Sequence, residues 1–499
     1  MNISLLLQMA AEAEPDRIAL VCDGRRWSYG SLLQAAVGAA RSMRASGATH
    51  IALLDESSEA AAIALFGAAI AGIPYVPLNY RLADTDLAAL LGRIAPAFVI
   101  GDVERIWRLS PEVGHDAWTR GDFVAEAEAK AHGPDLDESE EPIAVQLFTS
   151  GTTAAPKAAV LRHGNLLSYI LGTVEFASAP EEQAALVSVP PYHIAGIAAL
   201  LSSIYAMRRL LLLPHFEPDA WLALVEVERA TNAFVVPTML SRIVAAIDAG
   251  NTAEISSLKS VAYGGGRMPL ELIHRALDLF PETGFTNAYG LTETSSTVAL
   301  LGPDEHRAAH GSDDADTRAR LGSVGRPLPT VELEIRDDDG RPLAAGERGE
   351  IYVRGDQVSG EYKERSALDA DGWFPTRDAG WIDAEGYLFL AGRADDVIVR
   401  GGENISPSEI EDVLLTHAAV ADAAAVAVIS PEWGEAVGIA VACRPGHDQP
   451  GEDELATLIR DRLRSSRMPE RVVFVESLPY NEMGKLLRRE VRKLFHDQA

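Results

Sequence analysis

The sequence predicts an α/β fold: a large N-terminal domain of mostly parallel, helix-covered sheets, followed by a β-rich segment and a small α+β unit. Three observations support this prediction. Short β-branched runs alternate with alanine-rich helical patterns through most of the chain, strand-like segments dominate after about Gly311, and a helix-start signal at Ser406 opens the last part of the chain.

The alternation is clear in the first hundred or so residues. His50–Leu54 is typical of a strand, Glu59–Gly72 of a helix, and Tyr75–Leu78 of a second strand. The strand series continues in the segments FVIGD, IAVQLF, AALVSV, RRLLLLP and AFVVPT. Repeated strand–helix–strand order indicates largely parallel sheets covered by helices.

The character of the chain changes after about Gly311. The segments VELEIRD, GEIYVRG and GYLFLAG predict a smaller β-rich subdomain, and the polar stretch Asp304–Arg320 predicts a mobile surface loop. Ser406-Pro407-Ser408-Glu409 predicts a helix start, because proline is tolerated at the first helical position. The rest of the chain then forms an α+β unit of roughly 100 residues, a normal domain size.

Composition narrows the class of protein. The 499 residues are too many for one ordinary domain, and 47% hydrophobic with 23% charged residues is typical of a soluble globular protein. The chain has 44 basic and 73 acidic residues, a formal net charge of −29. This balance argues against nucleic acid or an anionic membrane as the main partner, since both attract positive protein.

Cysteine use and the apolar runs predict a cytoplasmic protein without a membrane span. The two cysteines, Cys22 and Cys443, form no disulfide framework or thiolate metal motif, which fits a reducing compartment. The first residues have no basic segment before their short apolar run and make a poor signal peptide. The longest apolar run, Ala60–Ile73, stops at Pro74 and suits a buried helix better than a span.

A hydroxyl-rich segment, TSGTTAAPK at 149–157, follows an apolar strand and precedes a predicted helix from Asn165. Loops at strand ends are where α/β proteins bind ligands, and hydroxyls, a glycine and a lysine can wrap a polyphosphate. The segment is not a Walker A loop, because Pro156 and Ala158 stand where that pattern requires Gly and Ser or Thr. By composition alone, a polar surface loop is an equal interpretation.

Two further segments carry candidate nucleotide ligands. Asn287–Ser296, NAYGLTETSS, offers an amide, an aromatic ring, a tight turn and the carboxylate of Glu293. An aromatic ring can stack on a base, and a carboxylate can hold Mg²⁺ that bridges phosphates. Asp378 lies in a predicted loop between aromatic residues, where it is either a turn former or a ligand for ribose hydroxyls.

Taken together, these segments resemble the motifs of the adenylate-forming superfamily, which contains acyl- and aryl-CoA synthetases, nonribosomal-peptide adenylation domains and luciferases. The match covers nearly the whole chain, in the family's order. The motifs are WSYGSLL (Trp27–Leu33), YVPLN (Tyr75–Asn79), TSGTTAAPK (149–157), PPYHIAG (Pro190–Gly196), YGGG (Tyr263–Gly266), AYGLTE (Ala288–Glu293), RDAG (Arg377–Gly380), GRADDVIVRGGENISPSEIE (Gly392–Glu411) and LPYNEMGKLLRR (Leu478–Arg489).

The resemblance implies a more detailed architecture. It implies an N-terminal adenylation domain at 1–394 with two mostly parallel sheets and a distorted β-barrel subdomain at about 311–392. It also implies a small mobile α+β domain at 395–499 that carries the catalytic lysine and swivels about a hinge at Asp395.

The resemblance also implies roles for individual residues. The ATP phosphates would be held by Thr149, Ser150, Gly151, Thr152, Thr153 and Lys157, and the adenine site would be formed by Gly265, Gly266, Asn287, Ala288 and Tyr289. Glu293 would bind Mg²⁺ with Thr292 close to the α-phosphate, Asp378 and Arg393 would hold the ribose, and Lys485 would be the catalytic lysine. The family usually has glycine where Ala154 and Ala158 stand, so we expect a stiffer loop here.

These roles suit an AMP-forming ligase. A carboxylate attacks an anionic phosphate poorly, so Lys485 and Mg²⁺ would neutralise the charge that builds at the α-phosphorus while pyrophosphate departs. A thiol then attacks the acyl-adenylate. Because Lys485 is badly placed for that step, the small domain moves, and Gly401, Gly402, Glu403 and Trp433 would then approach CoA and its pantetheine arm.

The predicted acyl pocket is mostly apolar or small, which favours a fatty or aromatic acid. Family members that activate α-amino acids carry an aspartate in the pocket motif, and PYHIAG has none. His193 is interpreted as a pocket-lining gate or as a structural histidine. The full set is His193, Gly196, Ile197, Phe234, Val236, Tyr263, Gly264, Thr294 and Ser295.

The acceptor and partners follow from the same resemblance. ATP and Mg²⁺ are the expected cofactors, with CoA as co-substrate. A stand-alone enzyme that loads a carrier-protein phosphopantetheine is the alternative, and a catalytically silent nucleotide-binding regulator is an alternative of another class. We expect a monomer or homodimer.

Overall fold

The structure is a computed structural model that describes residues 1–110, 115–133, 141–149, 156–393, 396–400, 403–430, 433–463, 465–480 and 486–495. The helices are α1 (Ser4–Ala13), α2 (Tyr29–Ser46), α3 (Glu59–Ala71), α4 (Asp84–Arg93), α5 (Val103–Leu109), α6 (Arg120–Ala129), α7 (His163–Thr173), α8 (Ile194–Tyr205), α9 (Pro218–Glu228), α10 (Pro237–Asp248), α11 (Leu270–Leu279), α12 (Pro303–His310), α13 (Ala315–Ala319), α14 (Pro407–Leu415), α15 (Glu452–Arg462) and α16 (Arg488–Lys493).

The strands are β1 (Ile18–Cys22), β2 (Arg25–Ser28), β3 (His50–Leu54), β4 (Tyr75–Pro77), β5 (Ala97–Gly101), β6 (Asp116–Trp118), β7 (Ile143–Thr149), β8 (Lys157–Arg162), β9 (Ala184–Val187), β10 (Arg209–Leu212), β11 (Asn232–Val235), β12 (Ser260–Gly264), β13 (Gly284–Leu291), β14 (Ser296–Leu301), β15 (Arg326–Pro327), β16 (Glu332–Arg336), β17 (Gly349–Arg354), β18 (Glu361–Tyr362), β19 (Arg365–Ser366), β20 (Phe374–Ile382), β21 (Leu388–Arg393), β22 (Ile398–Arg400), β23 (Glu403–Ile405), β24 (Val420–Ser430), β25 (Gly434–Cys443) and β26 (Pro469–Val475).

Two large sheets form most of the molecule. One has nine strands in the order β15-β14-β13-β12-β11-β9-β10-β1-β2, and the other has eight in the order β19-β18-β8-β7-β4-β3-β5-β6. Their central pairs are parallel and antiparallel pairs lie toward the ends. Apolar side chains from both sheets and from the helices between them form one continuous core. The predicted α/β class with mostly parallel, helix-covered sheets is confirmed.

A third sheet places candidate ligands near the first. Strands β16, β17, β20 and β21 form an antiparallel sheet. Its apolar face shares a core with Tyr289, Val298 and Ala299 of the nine-stranded sheet. This packing brings Asp378 on β20 and Arg393 on β21 to the end of β13.

The last part of the chain forms a separate sheet of β23, β22, β25 and β24, with β26 paired to β25, and has apolar cores of its own. Helix α14 begins at Pro407, as predicted, and the Glu409 carboxylate accepts a hydrogen bond from the Ser406 N–H at 3.3 Å. The proposed domain boundary at 394/395 lies outside the described residues and stays a prediction.

The predicted bounds of strand β3 and helix α3 agree with the structure. Strand β3 spans His50–Leu54 as predicted, and α3 ends at Ala71 because Gly72 adopts a left-handed conformation with φ of +71°.

The prediction of a loop over Asp304–Arg320 was wrong, since helices α12 and α13 lie there. Glu305 accepts a hydrogen bond from the Gly302 N–H at 2.7 Å, and His306 is fully buried against Tyr263. These contacts compensate for the low hydrophobicity of the segment. The described part of the chain contains no helix that is both long and apolar enough to cross a membrane.

The N-terminal helix is fixed to α7 through a buried imidazole. The Ile3 N–H donates to His163 Nδ1 at 3.3 Å, and burial lowers the pKa of His163 to about 4. An unfolded histidine has a pKa of about 6.5, so the unfolded chain takes up this proton first. Stability from this group is complete above about pH 6.5 and falls as the pH drops toward 4.

We therefore expect the native state to lose about 2 kcal/mol between pH 7 and pH 5 through His163 alone. Urea unfolding of the protein and of His163→Gln at both pH values measures this effect. The variant should lose correspondingly less stability on acidification. Parallel pH dependence in the two proteins would show that His163 does not carry it.

Candidate active site

The predicted phosphate loop closes a β-hairpin. Thr149 ends β7 and pairs with Lys157, which begins β8, and the Thr149 hydroxyl lies 3.5 Å from the Lys157 carbonyl oxygen. Ser150, Gly151, Thr152 and Thr153 lie between them, outside the described residues. Lys157 has no carboxylate partner within the described ranges, and its Nζ lies 5.4 Å from the ring centre of Tyr362. An ammonium group without an anionic partner is available to a phosphate.

The structure explains one of the two alanines that stand where the family usually has glycine. Ala158 lies within β8 opposite Phe148 and is buried, so extended backbone suffices there and no positive φ is required. Ala154 lies outside the described residues. Arg93, the last residue of α4, supports the hairpin of β7 and β8. Its guanidinium lies 4.9 Å from the Phe148 ring centre and donates a hydrogen bond to the Pro156 carbonyl.

Glu293 occupies a short 3-10 turn, Thr292–Thr294, at the end of β13. Its side chain is largely buried, and Oε1 accepts a hydrogen bond from the Tyr362 hydroxyl at 2.6 Å. Its carbonyl accepts the N–H groups of Ser359 and Gly360 at 2.8 and 3.2 Å. Oε2 has no hydrogen-bond partner among the described residues. A fixed carboxylate with a free oxygen fits a divalent cation, which prefers oxygen ligands.

The ribose candidate is a second fixed carboxylate. Asp378 and Arg393 are opposite each other on β20 and β21, and Arg393 Nε lies 3.1 Å from Asp378 Oδ1. The Tyr289 hydroxyl donates to Asp378 Oδ2 at 2.7 Å. Burial and the charge of Asp378 raise the pKa of Tyr289 well above its usual value, so this hydroxyl remains protonated. The structure therefore brings Tyr289, Asp378 and Arg393 together.

The glycine segment lies beside them. Gly264 on β12 pairs with Ala288 on β13, and a Cβ at Gly264 would lie 2.4 Å from the Ala288 carbonyl oxygen. Gly265 has φ of +79°, which favours glycine. Asn287 donates through Nδ2 to the Ser323 carbonyl at 3.0 Å. Close strand approach and a left-handed turn thus explain Gly264 and Gly265 independently of any ligand.

The charge of Arg393 acts on the tyrosines beside both carboxylates. The pKa of Tyr362 is raised by burial and by the Glu293 charge, while the Arg393 guanidinium acts to lower it. Arg393 acts in the same direction on the pKa of Tyr289, where burial and Asp378 dominate. Tyr289 on β13 and Glu293 in the following turn are only four residues apart, so both carboxylates lie near the same end of β13.

The predicted acyl-pocket residues do not all share one face. Phe234 pairs with Ala262 whereas Val235 pairs with Tyr263, so Phe234 and Tyr263 lie on opposite faces of the sheet. Tyr263 is fully buried, and its hydroxyl lies 2.8 Å from His306 Nε2. Val236 packs beside Gly265.

The remaining pocket candidates divide into two groups. The Thr294 hydroxyl donates hydrogen bonds to the backbone carbonyls of Leu291 and Ser296. The Ser295 hydroxyl is buried and has no partner in the described ranges. Gly196 and Ile197, in the first turns of α8, line together with Tyr75 and Leu200 a small apolar cavity of about 20 Å³, which has room for about one water molecule.

His193 precedes α8 and carries a neutral imidazole. Its Nε2 is buried and has no hydrogen-bond partner in the part of the chain that the structure describes. The ring is partly exposed overall, yet burial of its nitrogen lowers the pKa of His193 to about 3. An unpaired ring nitrogen favours the gate interpretation over that of a hydrogen-bonded structural histidine, since a buried polar atom without a partner is costly.

Several predicted residues cannot be placed. Lys485, Asp395, Gly401 and Gly402 lie outside the described residues, and the side chain of Glu403 is not described. Trp433 is exposed, and the Arg400 guanidinium lies 5.7 Å from its ring centre. Sequence reasoning missed Tyr362, because a lone tyrosine in SGEYKERS carries no spacing signal, and Arg93, which resembles an ordinary cation at a helix end.

Comparison with known proteins places this geometry in a family. The model of the AMP-binding enzymes matches residues 7–363, and that of the AMP-binding enzyme C-terminal domain matches residues 409–485. Feruloyl-CoA synthase of an Amycolatopsis species is 32% identical over 97% of this chain and 97% of its own length. Fatty acid–[acyl-carrier-protein] ligase ScoC of Streptomyces coeruleorubidus is 31% identical over 97% and 95%.

Solved structures show the same fold. The amide bond synthetase McbA from Marinactinospora thermotolerans has a TM-score of 0.86 at 29% identity, covering 99% of each chain. ATP-bound MatB from Rhodopseudomonas palustris has a TM-score of 0.87 at 26% identity, covering all of both chains. The fold and site define an adenylate-forming enzyme. The chain belongs to the AMP-binding enzyme family, within the adenylate-forming superfamily, and is a ligase related to acyl- and aryl-CoA ligases.

Proposed function

We propose that this enzyme is an AMP-forming carboxylate–CoA ligase that activates a hydrophobic acid, fatty or aromatic. It would convert the acid and ATP to an acyl-adenylate and pyrophosphate, and then transfer the acyl group to the CoA thiol. The observation that carries the proposal is the grouping of candidate ligands near the end of β13: Glu293 and Lys157 both contact Tyr362, and Tyr289 donates to Asp378, which pairs with Arg393.

The cluster suits a nucleotide with its phosphates toward Glu293 and its ribose toward Asp378. Asp378 would accept the ribose hydroxyls while Tyr289 and Arg393 hold its orientation. Lys157 would neutralise phosphate charge. Glu293, through its free oxygen, would hold Mg²⁺, which supplies charge neutralisation at the phosphates when bound. The glycine segment at 264–266 would approach the adenine closely, because it lacks side chains.

The first half-reaction needs no enzyme nucleophile. A substrate carboxylate oxygen attacks the α-phosphorus in line, the bond to the bridging oxygen breaks, and pyrophosphate leaves. Lys485 would stabilise the charge on the α-phosphate. In the second step the thiol sulfur bonds to the acyl carbon, AMP leaves with the electron pair of the broken bond, and the thiol proton is released.

The acid is proposed from the apolar lining and the neutral His193. An imidazole with a pKa of about 3 carries no charge at neutral pH, so it would not pair with a second carboxylate of the substrate. The residues packed around Gly196 and Ile197 are mostly apolar, although the cavity between them, of about 20 Å³, is too small for an acyl chain unless its walls move apart. Two relatives, the feruloyl-CoA synthase and the fatty acid–[acyl-carrier-protein] ligase, are named for acids of the same hydrophobic class.

CoA is the proposed acceptor because Trp433 is exposed beside Arg400, an aromatic and cationic pair that suits a nucleotide with phosphates. A carrier protein is the second candidate, supported by the resemblance to the acyl-carrier-protein ligase. The presence of candidate phosphate, metal and ribose ligands near one end of β13 weighs against a silent nucleotide-binding regulator.

A panel of carboxylic acids tests the proposal, scored by pyrophosphate release with CoA, with holo-carrier protein and without acceptor. We expect release only with hydrophobic monocarboxylic acids and at least tenfold faster turnover with CoA than with carrier protein. A preference for the carrier would favour the second candidate. If no acid supports exchange of labelled pyrophosphate into ATP, the enzyme is a binding protein instead.

A further inference from the structure

Tyr362 lies on a short segment, residues 359–363, which we call the strap. The strap connects strand β8, which begins at Lys157, to the turn that carries Glu293. The strap pairs with β8 at Tyr362 and Ala159, and the Lys363 N–H donates to the Ala158 carbonyl at 2.9 Å. At its other end, the N–H groups of Ser359 and Gly360 donate to the Glu293 carbonyl. The strap therefore fixes the turn of Glu293 to the strand that begins at Lys157.

The side chain of Tyr362 contacts both functional groups. Its hydroxyl donates to Glu293 Oε1 at 2.6 Å, and its ring centre lies 5.4 Å from Lys157 Nζ. A hydrogen bond to a carboxylate is short and strong, and a cation beside an aromatic face is attracted by the ring. With Oε1 held by this bond, Oε2 is the oxygen that has no partner among the described residues.

We propose that Tyr362 is a positioning residue: its hydroxyl orients the Glu293 carboxylate for a divalent cation, and its ring holds the Lys157 ammonium beside it. The inference rests on the proposed function, since it assumes that Glu293 receives the cation of a bound nucleotide. It assigns two separable tasks to one side chain. The hydroxyl acts on the metal, and the ring acts on the phosphate cation.

Two substitutions separate these tasks. Tyr362→Phe removes the hydroxyl and keeps the ring, whereas Tyr362→Leu removes both. The matched control is Tyr387→Phe, because the Tyr387 hydroxyl donates to Glu305 Oε1 at 3.1 Å and its ring lies 4.3 Å from the Arg326 guanidinium, so it repeats the two contacts of Tyr362 on a different carboxylate and cation. All three proteins are compared with the full-length parent.

The readout is binding, not turnover. Mn²⁺ serves as the probe for the cation, with the free ion measured by electron paramagnetic resonance in the presence of an ATP analogue with a non-hydrolysable α,β-bridge. Binding of the same analogue in EDTA reports the metal-free contribution. We expect Tyr362→Phe to weaken Mn²⁺ binding roughly tenfold with analogue binding in EDTA unchanged.

Tyr362→Leu should weaken both, and Tyr387→Phe neither. In a Glu293→Gln background, Tyr362→Phe should add no further loss of Mn²⁺ binding, because the hydroxyl acts through that carboxylate. If Tyr362→Phe binds Mn²⁺ as tightly as the parent does, the inference is overturned. It is also overturned if Tyr362→Phe weakens Mn²⁺ binding in the Glu293→Gln background as much as it does in the parent. If the parent itself binds no Mn²⁺–nucleotide, the proposed function fails instead.

Discussion

Replacing Lys485 by alanine is expected to slow acyl-adenylate formation by about 100- to 1000-fold while leaving thioester formation from a supplied acyl-adenylate within a few-fold of the parent rate. The lysine is proposed to stabilise charge only on the α-phosphate during pyrophosphate departure, and loss of one such charge-stabilising group costs a factor of this size. The thioester step breaks the acyl–oxygen bond, where that charge does not develop. Pyrophosphate release and single-turnover thioester formation measure the two steps separately.

Lys493→Ala is the matched control. Lys493 is an exposed lysine in the same region of sequence, paired with Glu490 at 2.7 Å, and its loss should leave both half-reactions unchanged. Equal loss of both half-reactions in Lys485→Ala would contradict the division of labour. It would also remove the reason for a domain movement between the steps.

Asp378→Asn should raise the Kd for ATP about 100-fold and change the KM for the acid little. The Asp378 carboxylate accepts a hydrogen bond from Tyr289 through Oδ2 and forms an ion pair with Arg393 through Oδ1. An amide carries no charge and offers one acceptor and one donor group, so the ion pair with Arg393 is lost and either Tyr289 or Arg393 faces an N–H group. Loss of a charge-assisted hydrogen bond together with an unsatisfied partner amounts to about 3 kcal/mol, which corresponds to this factor.

Asp248→Asn provides the control for removal of an aspartate charge beside an arginine. Asp248 pairs with Arg275 on the surface between α10 and α11, and both groups are exposed. Isothermal titration with ATP should distinguish the two variants, with Asp248→Asn matching the parent. Unaltered ATP affinity in Asp378→Asn would remove Asp378 from the nucleotide site.

Much of the fold could be predicted because its signals are local. The continuous apolar run of α3 and the glycine after it mark that helix, and Pro407 with Glu409 set the start of α14. The loop prediction over 304–320 failed since the stability of α12 depends on His306, whose partner Tyr263 is distant in sequence. Low local hydrophobicity gave no sign of that buried contact.

The candidate site, like the fold, was predictable only in part from the sequence. The motif order identified the family and the candidate residues, because residue types such as a hydroxyl-rich loop or a strand-end carboxylate are visible in the chain itself. The orientation of each carboxylate was not visible. Tyr362 reaches Glu293 only because β18 pairs with β8, and Tyr289 reaches Asp378 only because the third sheet packs on the end of β13.

The sequence by itself therefore determined the class of fold, the family and the identity of the candidate ligands. The tertiary structure alone decided which hydroxyl fixes which carboxylate, and that Phe234 and Tyr263 face opposite ways. The physical reason is that periodicity and motifs depend on neighbours along the chain. A hydrogen bond between residues 69 or 89 positions apart depends on how the sheets pack.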